Sequence, residues 1–301
     1  TKMLDQMLAI RLLDVSAHGE CLIAVRPPSY LLSHPRKILW FIHHHRTAYD
    51  LWGTKYQDIP DTPEGRTYRD SIIHADNVAF QESERVFCNS GVVAARLKHY
   101  NQVEAQVLYP PLWQPGRFRA GAFDDYLVYV SRIVNHKRQL LAVEALRHTR
   151  TPVKLVIAGR PDPDAQAYLY QIQDTIREYD LQQRVTVVPR WITEQEKADL
   201  FADSLAGIYI PFDEDSYGYP TLEAHHSGKA VITAADSGGT RELIVDGENG
   251  FVAEPQPEAL AFAMDRLYED RALAKRMGEA GRRRLTELGI EWGVVVNSLV
   301  A

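Results

Sequence analysis

The run from Asp213 to Lys229, DEDSYGYPTLEAHHSGK, concentrates more chemistry than any other part of the chain. It follows an apolar stretch, GIYIP at 207–211, that reads as a buried parallel strand. In open α/β sheets ligands sit beyond the C-terminal strand ends. Three acids, a turn at Gly218 and then Glu223 within a helix therefore stand where a site is expected. Asp215 and Glu223 are eight positions apart, and a turn followed by a helix would bring both carboxylates to one pocket. A solvated acidic loop ahead of a helix N-terminus is the competing reading.

Three further segments carry candidate chemistry. In YVSRIVNHKRQLLAVEAL, Arg132 leaves a strand end and Lys137 opens the following helix. Two cations and several helix N-terminal amides would converge there, where a diphosphate fits, although surface cations of this kind are common. In DSGGTRELIVDGENGFV at 236–252, Gly238 and Gly239 permit close backbone approach to a phosphate or sugar at a helix start, and Gly247 and Gly250 suit the next turn. In WFIHHHRTAYD, His43, His44, His45 and Arg46 follow a strand directly. Adjacent histidines can bind zinc, but consecutive strand-end residues point in different directions and no further Cys or His lies at ligand spacing, so no metal is expected. Thr193 is expected to cap the helix beginning ITEQE, and Asn89 and Ser90 to start a helix after RVFC.

These groups need elements to hold them. From Leu127 onward the runs LVYVS, VKLVIAG, VTVVP, GIYIP and AVITA alternate with amphipathic stretches at 138–148, 164–179 and 194–203, the signature of βαβ units and a doubly wound parallel sheet. Before residue 112 the signals are sparser: CLIAV, KILWFI, a helical stretch around 64–82, RVFCNS and AQVLY. The proline-rich YPPLWQPGRFRAG reads as a linker. Two α/β domains, 1–112 and 113–285, with a returning helix at 286–301, are expected. At 301 residues the chain is long for one core. A net charge of −6 offers no field for a nucleic-acid polymer. Cys21 and Cys88 sit in apolar runs and read as core residues of a reduced, cytoplasmic protein. No run reaches the ~18 apolar residues of a membrane span.

Taken together, the segments resemble the family 4 retaining glycosyltransferases over most of residues 36–299, specifically in 127–252 and more loosely before it. The resemblance implies the GT-B fold, two Rossmann-like doubly wound domains with a C-terminal helix returning to the first. It implies transfer of a sugar, a hexose by expectation, from a nucleoside diphosphate donor to a hydroxyl of a glycan, lipid or small-molecule acceptor. The anomeric configuration is retained, and no metal or cofactor is needed. Asp215 and Glu223 match the two acids of the family's glutamate-x7-glutamate motif, beside the sugar and the ribose, with Glu214 a rival for the first place. Arg132 and Lys137 would neutralise the leaving diphosphate, as a metal does elsewhere. Ser216, Tyr217, Gly218, Tyr219, Pro220, Thr221, Gly238 and Gly239 would line the donor, and Arg190 and Trp191 match the loop that contacts the base. His43 would face the donor sugar from the N-terminal domain.

The family opens with a strand and a glycine-rich loop, whereas Thr1–Asp14 has the apolar spacing of a helix and about two βα units are missing ahead of it. Either the sequence starts within that domain or the protein is a shortened homologue, and a non-catalytic nucleotide-sugar-binding protein or regulatory subunit is the alternative function. Peripheral membrane contact fits the family, but the one basic stretch at hand, GRRRL at 281–285, is too short to carry it. A dinucleotide-dependent oxidoreductase would need G-x-G-x-x-G after a strand, and no strand end has it.

Overall fold

Short apolar runs become parallel strands and the amphipathic runs between them become helices in the computed structural model, which describes residues 2–54 and 57–301. The chain divides into two units, Thr1–Pro110 with Trp292–Ala301, and Pro111–Glu291. In the first unit α1 (Lys2–Arg11) leads to β1 (Leu22–Ala24) and β2 (Lys37–Phe41). α2 (Pro63–Gln81), β3 (Arg85–Cys88), α3 (Gly91–Asn101) and β4 (Gln106–Val107) follow. The four strands lie parallel in the order β1-β2-β3-β4. The pleat decides which core each residue of β2 joins. Leu39 and Phe41 pack into one cluster with Tyr30, Ile72 and Phe80, while Ile38 and Trp40 turn to the other face. Ser90 caps α3 by accepting a hydrogen bond from the Val93 N–H at 3.1 Å.

The second unit runs β5 (Tyr126–Val130), α4 (Gln139–His148), β6 (Lys154–Ala158), α5 (Gln166–Glu178), β7 (Val185–Val188), α6 (Glu194–Asp203) and β8 (Ala206–Ile208). It continues through α7 (Tyr219–His226), β9 (Ala230–Ala234), α8 (Thr240–Leu243), β10 (Gly250–Ala253), α9 (Pro257–Glu269) and α10 (Arg271–Glu287). All six strands are parallel, in the order β10-β9-β8-β5-β6-β7. Counted from β5 this is the 3-2-1-4-5-6 order of a Rossmann sheet. Leu127, Tyr129, Leu155, Ile157, Ile208 and Ile232 are at most 1% exposed and pack with Val143 and Leu146 of α4 and Leu260 and Met264 of α9. Each such side chain contributes roughly 1.5–3 kcal/mol of burial. β10 falls in a segment read from sequence as a turn. Its four residues, GFVA, are too short to show a period, and pairing with β9 makes them a strand.

The last helix, α11 (Trp292–Val300), belongs to the first unit. Val295 and Leu299 cover Ile38, Phe87 and Leu108 on the second face of that sheet. Arg85 of β3 donates to the Ser298 and Leu299 carbonyls at 3.0 and 3.1 Å, satisfying two of the acceptors a helix end leaves open. The change of unit comes at Trp292, later than the expected 286, because α10 runs on through Glu287 and Ile290 is buried behind it.

One side chain ties the C-terminal ends of three strands of the second sheet together. Arg138, with φ of 55°, donates to the Ile210 and Pro211 carbonyls at 2.7 and 2.8 Å and makes a forked pair with Asp236 at 2.8 and 2.7 Å. It thereby joins the loops after β5, β8 and β9. Arg138→Ala removes these charged bonds and is expected to cost about 2 kcal/mol, a fall in Tm of about 4–8 °C by calorimetry. An unchanged Tm would show that the clamp does not hold the loops.

Buried titratable groups set the response to acid. Burial lowers His44, His225 and His226 from the usual 6.5 to about 4. Between those values the unfolded chain binds more protons at these sites, so their contribution is full above pH 6.5 and is lost as pH falls toward 4. Asp76, raised by burial to about 6 while accepting from Tyr30 and Tyr49 at 2.6 and 2.7 Å, works in the opposite sense. Three groups against one give a net loss. Tm is expected to fall steadily from pH 7 to pH 4.5, and His44→Asn should flatten the slope; a pH-independent Tm across that range would contradict the assignment.

Candidate functional site

In the second sheet the strand order reverses between β5 and β8, which lie side by side and parallel while their following segments depart to opposite sides. The loops leaving these two strands, together with α7, carry most of the residues singled out from sequence. Tyr129, the fully buried tyrosine of β5, fixes both loops from below. Its hydroxyl donates to the Lys137 carbonyl and accepts from the Ile210 N–H at 3.3 Å. Gln139 Nε2 donates to Ser131 Oγ and to the Arg132 carbonyl, both at 2.8 Å, and so holds the Arg132 backbone.

Lys137 does not open a helix as expected. It closes a 3-10 turn, Asn135–Lys137, and α4 starts two residues later because Arg138 adopts a left-handed conformation between them. The displacement aims the ammonium at the neighbouring loop. Lys137 Nζ donates to Tyr209 Oη at 2.7 Å and to the Glu214 carboxylate, and Tyr209 Oη donates to Glu214 Oε2 at 2.9 Å. Burial, then the Glu214 charge, pushes the Tyr209 phenol well above its usual range, so it remains a donor. An ammonium has three N–H groups. Two are used here, which leaves one.

The acidic loop itself is anchored to the turn after β9. Asp213 N–H donates to the Asp236 carbonyl at 3.0 Å, and Gly239 N–H to the Glu214 carbonyl at 2.8 Å. A Cβ on Gly238 would lie 2.7 Å from Glu214 N, and one on Gly239 would lie 2.7 Å from Ser216 Cα. The close approach that these glycines permit is thus first to the 213–216 backbone. The helix they precede is only four residues long. Gly218, at φ of 73°, abuts the Tyr209 ring and ends the loop.

Other expected residues fall around this centre in distinct ways. Arg132 is largely exposed and pairs with Asp162 at 2.6 Å. Glu223, on α7, is buried and pairs with Lys197 of α6 at 2.6 Å. Burial pushes its carboxyl up, and Lys197 pulls it back. Among the described residues Lys197 is the only side chain bonded to Glu223, so it has no bond to the acidic loop. Ser216 Oγ accepts from the Gly218 N–H at 3.4 Å, and Thr221 Oγ donates to the Tyr217 and Gly218 carbonyls at 2.9 and 2.8 Å. Tyr217 and Thr221 are buried, Pro220 sits in the first turn of α7, and Tyr219 beside it is half exposed. Arg190 pairs with Glu196 at 2.6 Å, Trp191 is exposed, and Thr193 and Glu196 form the expected capping box.

In the first unit His43 is half-buried after β2, with Nδ1 2.7 Å from the His44 carbonyl. His44 is core, its Nε2 2.8 Å from Asn101 Oδ1. No three His, Cys, Asp or Glu among the described residues are grouped to hold a metal ion.

Sequence reasoning missed Tyr209, Arg138, Asp236 and Lys197. The first had a signal, a tyrosine inside an otherwise aliphatic strand. So did Asp236, which follows the strand AVITA as Asp213 follows GIYIP.

Comparisons with known proteins speak to the family and the fold. The chain is 27% identical over 291 residues to the human alpha-1,3/1,6-mannosyltransferase ALG2, covering 86% of this chain and 66% of that protein. It is 32% identical over 138 residues to the Dictyostelium discoideum ALG2, covering 45% and 32%. The chain thus spans between about a third and two thirds of the length of these relatives. In fold it is similar to sucrose-phosphate synthase from Thermosynechococcus elongatus, with a TM-score of 0.78 at 19% identity over 98% of this chain and 76% of that one. Anabaena HepE, solved with UDP and glucose, gives a TM-score of 0.68 at 18% identity over 87% and 72%. Two parallel-sheet units of this kind are the GT-B fold. The family model for glycosyl transferases group 1 matches residues 119–284, more than half of the chain, and the chain belongs to that family.

Proposed function

We propose that this chain acts as a retaining hexosyltransferase, moving a sugar from a nucleoside diphosphate donor to an acceptor hydroxyl. The observation that carries the reading is the buried Lys137 ammonium at the β5/β8 crossover, held by Tyr209 and Glu214 with an N–H to spare and with Arg132 on the same loop. Two cations at a strand-end crevice suit the two phosphates of such a donor. The mannosyltransferase names of its relatives support a hexosyl group.

In the proposed step the bond from the anomeric carbon to the diphosphate oxygen breaks. The acceptor oxygen bonds to that carbon on the same face, and its proton passes to the departing diphosphate. Charge builds on the leaving group, and Lys137 and Arg132 meet it, Arg132 by exchanging Asp162 for phosphate. The reading needs no metal or other cofactor. Asp215 takes the place beside the sugar, and Glu223, fixed by Lys197, takes the ribose. Ser216, Tyr219, Gly238 and Gly239 border the donor, and Arg190 and Trp191 border the base. The acceptor is a glycan, a lipid or a small molecule. No helix among the described residues is long and apolar enough to cross a membrane. We place the reaction in the cytoplasm, in keeping with two cysteines that form no disulfide.

The test is thermal unfolding with UDP, GDP, ADP and dTDP, each at about 100 times its Kd, for wild type and the Arg132→Ala/Lys137→Ala double variant. One diphosphate should stabilise wild type by about 2.7 kcal/mol, roughly 5–10 °C in Tm, and leave the double variant unmoved. Equal shifts in both proteins would overturn the reading.

A further inference from the structure

Glu214 stands where the donor would place negative charge. It pairs with the ammonium assigned to the diphosphate, and it is fixed there on three sides. Tyr209 Oη donates to it at 2.9 Å, Gly239 N–H holds its carbonyl at 2.8 Å, and Asp213 before it takes a left-handed φ of 45°. A non-glycine residue in that region is strained and persists only where surrounding contacts enforce it. The loop is therefore built to present this carboxylate to Lys137. The pair is also not sealed in the core: side-chain exposure is 10% for Lys137 and 22% for Glu214. The wholly buried Lys37, with 0% exposure and carbonyls of Tyr30 and Leu32 around it, shows what a purely structural lysine of this chain looks like.

We propose that Glu214 is a built-in competitor of the donor diphosphate and thereby sets donor affinity, a role that rests on the assignment of Lys137 to the diphosphate. With the site empty, Glu214 neutralises Lys137 and keeps it folded toward Tyr209. A diphosphate approaching the same ammonium meets like charge from the carboxylate, and binding requires the Glu214 side chain to swing away. The backbone stays, because the 236–239 turn grips it. The trade lowers affinity for every nucleoside diphosphate alike, product included, and so favours release after transfer.

Glu214→Gln separates this from a structural role. The amide keeps the shape and can still accept from Tyr209, but it no longer neutralises Lys137. Loss of a structural contact would weaken ligand binding. Loss of a competitor should tighten it by about tenfold, the worth of one charge-assisted hydrogen bond. The measurement is calorimetric titration of wild type, Glu214→Gln, Lys137→Met and the Lys137→Met/Glu214→Gln double variant with the nucleoside diphosphate that stabilises wild type. The expected result is a tenfold lower Kd in Glu214→Gln, even though its unliganded Tm falls, and no gain from the same change in the Lys137→Met background. Wild-type binding that Lys137→Met abolishes, with an equal or higher Kd in Glu214→Gln, overturns the competitor role and leaves the donor site standing. Absence of binding in both wild type and Glu214→Gln at millimolar concentration overturns both.

Discussion

An ammonium drawn out of water at the end of a parallel sheet imposes conditions on everything near it. A buried charge without a partner costs several kcal/mol, so Lys137 requires an anion and further dipoles within bonding distance. Glu214 and Tyr209 meet that requirement, and the rest of the local architecture follows from their having to be there. Glu214 can reach Lys137 only if the chain leaving β8 bends sharply, which is the left-handed Asp213. The bent loop can lie against the turn after β9 only if no side chain stands at the two positions facing it, which are Gly238 and Gly239. Arg138, next to Lys137, then fastens the same three loops with charged bonds.

The strand order explains why the charge can be there. On a crossover the loops after β5 and β8 diverge, so an ammonium at their base keeps a path to solvent that the sheet interior lacks. The first unit handles buried charge differently. Lys37 at the start of β2 is surrounded by two carbonyls and Glu82, and Asp76 is satisfied by two tyrosine hydroxyls. Both are buried to within 1% of completely. The chemistry of burying charge is shared; what differs is whether the topology leaves a door.

The parallel sheet of the second unit was legible because buried strands read as β-branched runs, and the capping box at Thr193 because Ser/Thr followed by Glu three residues on is a local signal. The candidate site was legible as a set of segments. Its inner bonding was not. Spacing along the chain favours Asp215, yet the contact with Lys137 falls to Glu214, since a positive φ at the preceding residue redirects the side chains that follow. Lys137 looked like a helix-opening residue, and only the left-handed Arg138 shows why it closes a turn instead. Tyr209 and Asp236 act through partners about 72 and 98 residues away along the chain, which no local pattern records.

Charge accounting shows why such detail matters for an anionic ligand. The chain as a whole carries −6, a field that opposes the approach of a diphosphate. At the crossover Arg132 and Lys137 face Asp162 and Glu214, so the four side chains nearly cancel. The Tyr209 proton completes the balance. Because burial and the neighbouring carboxylate hold that proton in place, the negative charge stays localised on Glu214 instead of moving to the phenol. In the proposed competitor role, the Glu214 carboxylate then decides whether Lys137 is neutralised or presents a cation. Local geometry, and not the overall charge of the protein, decides what the site attracts.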